Sequence, residues 1–130
     1  MNLDIEEIEY IRHIFDDLLY LNKSIPIIVE GKRDRIALKR LGLKGRIIQL
    51  HRGQNIYEFC EDILKKYEKV ILLIDWDKRG EQLYQKVADL LKGHFEEYSI
   101  FRETLIRLFG KEIKEVEEIP KILRDYGIFQ

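Results

Sequence analysis

VILLIDWDKRG, residues 70 to 80, opens with five apolar residues in a row and passes directly to Asp75, Trp76 and Asp77. A short, unbroken apolar run suits a strand buried on both faces, as in parallel sheets covered by helices. The same construction occurs upstream: Ile25 to Val29 is apolar, lies between Ser24 and Gly31, and leads into Glu30. Ile47, Ile48 and Leu50 make another run, and Phe95 to Ile100 is read as a fourth, weaker strand.

Between these runs the apolar period changes to that of helices. Ile5, Ile8, Ile11, Phe15, Leu18 and Leu19 predict a helix over residues 4 to 21, and Ile36, Ala37, Leu38 and Leu41 predict one over 33 to 41. A third runs from about Asn55 to Tyr67 and a fourth from about Gly80 to Leu91. The tail alternates less clearly, with helical spacing over Thr104 to Phe109 and Lys121 to Tyr126. Strands separated by helices of this length predict an α/β fold with right-handed crossovers. The expected form is a three-layer α/β/α sandwich around a mainly parallel four-stranded sheet, Rossmann-like in plan. Ligands of such sheets bind beyond the carboxyl ends of the strands, so the residues after each strand are the ones to read for function.

The chain has 130 residues, enough for a single domain over 1–130, and this excludes a multi-module enzyme. Its 23 Lys plus Arg nearly cancel 24 Asp plus Glu, for a net charge of -1. The charge is segregated along the chain. Residues 31 to 52 carry eight cations (Lys32, Arg33, Arg35, Lys39, Arg40, Lys44, Arg46, Arg52) against Asp34 alone, whereas residues 1 to 23 carry six acids against Arg12 and Lys23. A basic stretch beside a strand end suits a phosphodiester backbone, although most charge runs are solvated helix faces.

The one cysteine, Cys60, falls on the apolar side of the third helix and reads as a buried structural thiol. Trp76 reads as packing beneath a helix before it reads as a platform for a base. The N-terminus is acidic, without the features of a signal peptide, and no apolar stretch approaches the ~20 residues of a bilayer span. The expected setting is cytoplasmic, with no membrane partner.

Glu30, Asp75 and Asp77 are the candidate functional carboxylates. If the first and third strands are neighbours, all three face one crevice, where like charges raise each other's pKa unless a cation offsets them. A hard divalent ion with oxygen ligands, Mg²⁺ above all, matches that donor set. The competing reading is that an acid after a strand caps the next helix. Gly31 and Gly80 beside these acids permit close approach of backbone or substrate.

The strings VEGKRD, residues 29 to 34, and DWDKRG, residues 75 to 80, resemble the two signatures of the Toprim domain, shared by topoisomerases, bacterial primases and the 5S ribosomal RNA maturase. The span through VEEIP, residues 116 to 120, resembles the small stand-alone Toprim proteins of archaea and some bacteria. The resemblance implies a Toprim core over residues 25–100, after an N-terminal helix at 1–23 and before a helical extension at 101–130. It implies that Glu30 is a general acid/base and that Asp75 and Asp77, with Glu30, hold Mg²⁺ or Mn²⁺. Gly31, Asp34 and Gly80 support the motifs, and Lys32, Arg33, Arg35, Arg52, Lys78 and Arg79 are the candidate nucleic-acid contacts.

The resemblance also departs from the family's larger machines. No topoisomerase tyrosine domain and no primase zinc module accompany these motifs, so DNA strand passage is not expected. The expected activity is Mg²⁺-dependent phosphodiester chemistry on nucleic acid, first of all cleavage of RNA or DNA by a small nuclease, with phosphotransfer on nucleic acid as the other enzymatic form. The alternative is a non-catalytic protein that binds nucleic acid or a protein partner, with a homo-oligomer left open.

Overall fold

The computed structural model describes residues 3–50 and 53–128. The elements run in the order α1 (Ile5–Asn22), β1 (Ile27–Val29), α2 (Lys32–Arg40), β2 (Ile47–Gln49), α3 (Ile56–Lys66), β3 (Ile71–Leu72) and α4 (Lys78–Leu90). A 3-10 turn at Glu96–Tyr98 leads into α5 (Ser99–Phe109), and a second at Val116–Glu118 leads into α6 (Ile119–Asp125).

The sheet has the order β2-β1-β3 with both pairings parallel. Ile27 lies opposite Ile47 and Ile71, and Ile28 opposite Ile48 and Leu72. Because strand side chains alternate between faces, the apolar runs feed two separate cores. Ile27, Val29, Ile71 and Leu73 join α1, α5, α6 and Leu38 of α2 on one face. Ile28, Val70, Leu72 and Ile74 join Phe59, Cys60 and Ile63 of α3, Val87 of α4 and Leu91 just after it on the other. Helices cover both faces, which is why the strands read as continuous hydrophobic runs. Cys60 lies in the second core, where burial pushes its thiol up to about 11, so it is a packing residue.

The expected fourth strand, Phe95 to Ile100, is not a strand, and the sheet has three among the described residues. The Glu96 carboxylate accepts the Gly93 N–H at 2.8 Å, the Tyr98 N–H returns to the Phe95 carbonyl at 2.9 Å, and the Ser99 hydroxyl donates to the Glu96 carbonyl at 2.9 Å. These local bonds close the backbone on itself in a 3-10 turn, where a strand needs its N–H groups free for a neighbour. Beside β3 the backbone link runs instead from the Val70 N–H to the His94 carbonyl at 3.0 Å, and His94 Nδ1 lies 2.8 Å from the Glu68 carbonyl.

At the opposite end of the sheet from the strand-end carboxylates, buried Asn22 ties α1 to the approach of β2. Its amide donates to the carbonyls of Ile25 and Arg46, both at 3.1 Å, and its Oδ1 accepts the Gly45 N–H at 2.9 Å. A Cβ on Gly45 would run into the Asn22 carbonyl and lie 2.8 Å from Asn22 Cγ. Gly45→Ala should therefore cost more than about 2 kcal/mol, seen as a clear drop in melting temperature in a thermal denaturation scan. A melt within experimental scatter of the wild type would refute the close approach.

Candidate functional site

β2 and β3 flank β1 on opposite sides, so the chain reverses direction across the sheet between β1 and β3 and a crevice opens at their carboxyl ends. A cavity of about 820 Å³ lies there, and Glu30, Asp34, Asp75, Lys32, Arg33 and Arg79 contribute to its wall.

The three candidate carboxylates sit in different surroundings. Asp75 is buried, and its Oδ1 accepts the Val116 N–H at 2.7 Å. Burial, together with the charges of Asp34, Glu30 and Glu115, pushes its pKa to about 8 despite that hydrogen bond. Glu30 is half-buried; its Oε1 is shielded from water and has no hydrogen-bond partner. Burial first, then Asp77 and Asp34, raise its pKa, with Arg79 opposing. Asp77 caps α4, its Oδ1 accepting the Gly80 N–H at 2.6 Å, and it lies beside the cavity rather than in its wall. The capping reading is thus correct for one of its oxygens.

The motif glycines have different reasons. A Cβ on Gly80 would strike the Asp75 carbonyl and lie 2.9 Å from Asp77 Oδ1, so Gly80 lets α4 start directly against the Asp75 backbone. A Cβ on Gly31 would meet only Asp34 Oδ2, at 3.9 Å, so the space over Gly31 is open toward the cavity.

Asp34 is a structural hinge-pin as well as a motif residue. Its carboxylate accepts the Gly31 N–H at 3.1 Å, closing the start of α2, and the Glu117 N–H at 3.1 Å. Burial raises its pKa, and those two N–H groups oppose the rise. The 3-10 turn Val116–Glu118 therefore uses consecutive backbone donors on Asp75 and Asp34. It also brings Glu115 and Glu117 to the cavity wall, where a hydrogen bond shared between their side chains raises the Glu115 pKa.

Neither acid was singled out from the sequence. The run KEVEEIP, residues 114–120, is visibly acidic, but only packing against α2 places it over the site.

Arg102 of α5 was missed as well. It is buried, and it donates Nε to the Ile74 carbonyl at 2.7 Å and an Nη to the Asp75 carbonyl at 2.9 Å. It pairs with Glu81 at 2.6 Å, and its guanidinium stacks 3.8 Å above the Tyr84 ring. Trp76 is turned away from the cavity: its Nε1 donates to the Ile113 carbonyl at 2.7 Å and its backbone N–H to the Lys114 carbonyl at 2.8 Å. Packing, not base stacking, is its part.

Among the candidate nucleic-acid contacts, Lys32, Arg33 and Arg79 are exposed on the cavity wall. Arg35 donates to Gln49 Oε1 at 2.9 Å, and Lys78 is exposed at the start of α4 outside the wall. Arg52 lies outside the described residues.

Among the described residues, no three His, Cys, Asp or Glu side chains stand close enough to form a ready-made metal cage. The donor set still fits Mg²⁺, which binds through one or two carboxylates, retained waters and substrate phosphates rather than an all-protein cage. Glu30 Oε1 is an orphaned buried acceptor, and Asp75 and Asp77 each spend only Oδ1 on a backbone N–H.

Asp75 gives a pH test. Its pKa in the fold, about 8, exceeds its ordinary 3.8, so the folded chain holds a proton that the unfolded chain has released. Stability then falls as pH rises through that window. Melting temperatures recorded from about pH 5 to 8 should decline for the wild type and decline less steeply for Asp75→Asn, whose amide oxygen can still accept the Val116 N–H and which leaves the raised pKa values of Glu30, Asp34 and Glu115 to act. Parallel profiles would contradict the assignment.

The Toprim domain matches residues 25–108. A UPF0292 protein of Methanosarcina barkeri is 37% identical over 120 residues, covering 88% of this chain and 80% of that protein. One from Thermoplasma volcanium is 38% identical over 99 residues, covering 76% and 82%. Among solved structures, a putative protein from Aquifex aeolicus superposes with a TM-score of 0.65 at 32% identity, over 82% of this chain and 94% of that one. Both signature strings lie within the matched span, at the ends of adjacent parallel strands, and the chain belongs to the Toprim domain family, among the small UPF0292 proteins.

Proposed function

We propose that this protein is a Mg²⁺-dependent enzyme that hydrolyses phosphodiester bonds in RNA or DNA. The observation that carries the reading is the pairing of a water-shielded, unpartnered Glu30 oxygen with a buried, hydrogen-bonded Asp75 across the β1/β3 crevice. Membership of the Toprim family supports a metal-dependent, nucleic-acid-related role.

Glu30 is the acid/base. Burial and the neighbouring carboxylates raise its pKa above the ordinary glutamate value, the direction that helps a carboxyl group act as a proton donor as well as an acceptor. Asp75 and Asp77, with Glu30, would hold the ion, and the Arg102 clamp on the Ile74 and Asp75 carbonyls keeps the Asp75 backbone from shifting. When bound, Mg²⁺ supplies charge neutralisation and orientation at the phosphate. Lys32, Arg33 and Arg79 on the same wall attract the phosphate backbone and hold it against the carboxylates.

Glu30→Gln should lower the cleavage rate on RNA or DNA substrates by at least about a hundredfold even with Mn²⁺ saturating, and should weaken Mn²⁺ binding, followed by electron paramagnetic resonance, less than Asp75→Asn does. Asp75→Asn should weaken Mn²⁺ binding itself. Unchanged cleavage by the Glu30 variant would remove Glu30 from the reaction. Tight nucleic-acid binding with no cleavage by the wild type would support a binding protein instead.

A further inference from the structure

The cavity at the carboxyl end of the sheet has two unlike walls, and the phosphodiester reading uses only the charged one. The opposite wall is formed by half-buried Leu50, Ile56 and Leu83, backed by buried Phe59, with the carboxamides of Gln49 and Gln54. A phosphate gains nothing from its aliphatic and aromatic part.

The orientation of both carboxamides is dictated by their outer partners. Arg35 Nε donates to Gln49 Oε1 at 2.9 Å, and a guanidinium has no acceptor, so the Gln49 NH₂ is left to donate elsewhere. Gln54 Nε2 donates to Asp62 Oδ2 at 2.9 Å, and an ionised carboxylate has no donor, so the Gln54 carbonyl oxygen is left to accept. One oriented donor and one oriented acceptor thus stand beside an apolar surface in the cavity that holds Glu30 and Asp75.

We propose that this wall is a subsite for an unpaired nucleobase. A heterocycle buries its face on aliphatic and aromatic side chains and presents donors and acceptors at its edge. Placed there, the base would leave its own phosphate toward Lys32, Arg33, Arg79 and the carboxylates. A base within a duplex has both faces covered by stacking and its pairing edge occupied, so the wall selects single strands, loops or ends. The inference rests on the phosphodiester reading and narrows its substrate class.

The test is a calorimetric titration of the full chain, with Mg²⁺, against nucleoside 5′-monophosphates and ribose 5-phosphate, with Mn²⁺ binding measured on the same samples. The nucleotides should bind about tenfold or more tighter than the sugar phosphate. Ile56→Ala and Gln54→Ala, checked for a wild-type melt, should each erase much of that difference while leaving ribose 5-phosphate and Mn²⁺ binding unchanged. Equal affinity for nucleotide and sugar phosphate, or a preference untouched by both variants, overturns the subsite, and Mn²⁺ binding in those samples leaves the phosphodiester reading standing. A nucleotide preference that persists with no Mn²⁺ bound supports the subsite and overturns the metal reading.

Discussion

The burial of the Asp75 carboxylate at the end of β3 is the constraint around which this molecule is arranged. A carboxyl group taken out of water must be hydrogen-bonded or neutral, and this one receives the Val116 N–H while its own pKa rises to about 8. Its backbone is pinned from below by Arg102, and the next residue, Trp76, is tied by side chain and backbone to Ile113 and Lys114. α5 and the segment leading to α6 are therefore parts of the site as well as cover for the sheet.

That arrangement concentrates acid on both sides of the crevice. Glu30 comes from the β1–α2 connection and Asp34 from the first turn of α2, Asp75 and Asp77 from the β3–α4 connection, and Glu115 and Glu117 from the C-terminal turn and its start. Lys32, Arg33 and Arg79 stand on the same rim. A net charge of -1 conceals a site where both signs are crowded, and where a divalent cation and a polyanion would relieve each other's cost.

Much of this is legible in the sequence. The apolar runs ending in Glu30 and in Asp75 located the two strands whose ends meet, and the paired signatures located the family. The false strand at Phe95 to Ile100 shows where periodicity fails: Glu96 satisfies local N–H groups and turns the chain, an outcome of side-chain to backbone bonds that alternation does not register. Glu115, Glu117 and Arg102 are invisible as site residues because nothing in their spacing relates them to partners 27 to 83 positions away.

The sequence by itself determined the layered α/β plan, the inward-facing Cys60, and the carboxylates placed after the strands, because strand and helix periods and turn chemistry are local properties of the chain. The tertiary structure decided which of those acids are desolvated, which oxygens remain unspent, and that a C-terminal turn closes over them. It also set the two glutamine amides, one donor and one acceptor, along the apolar wall. Burial and hydrogen-bond partners depend on contacts between distant segments, and these exist only once the two cores have packed on the sheet.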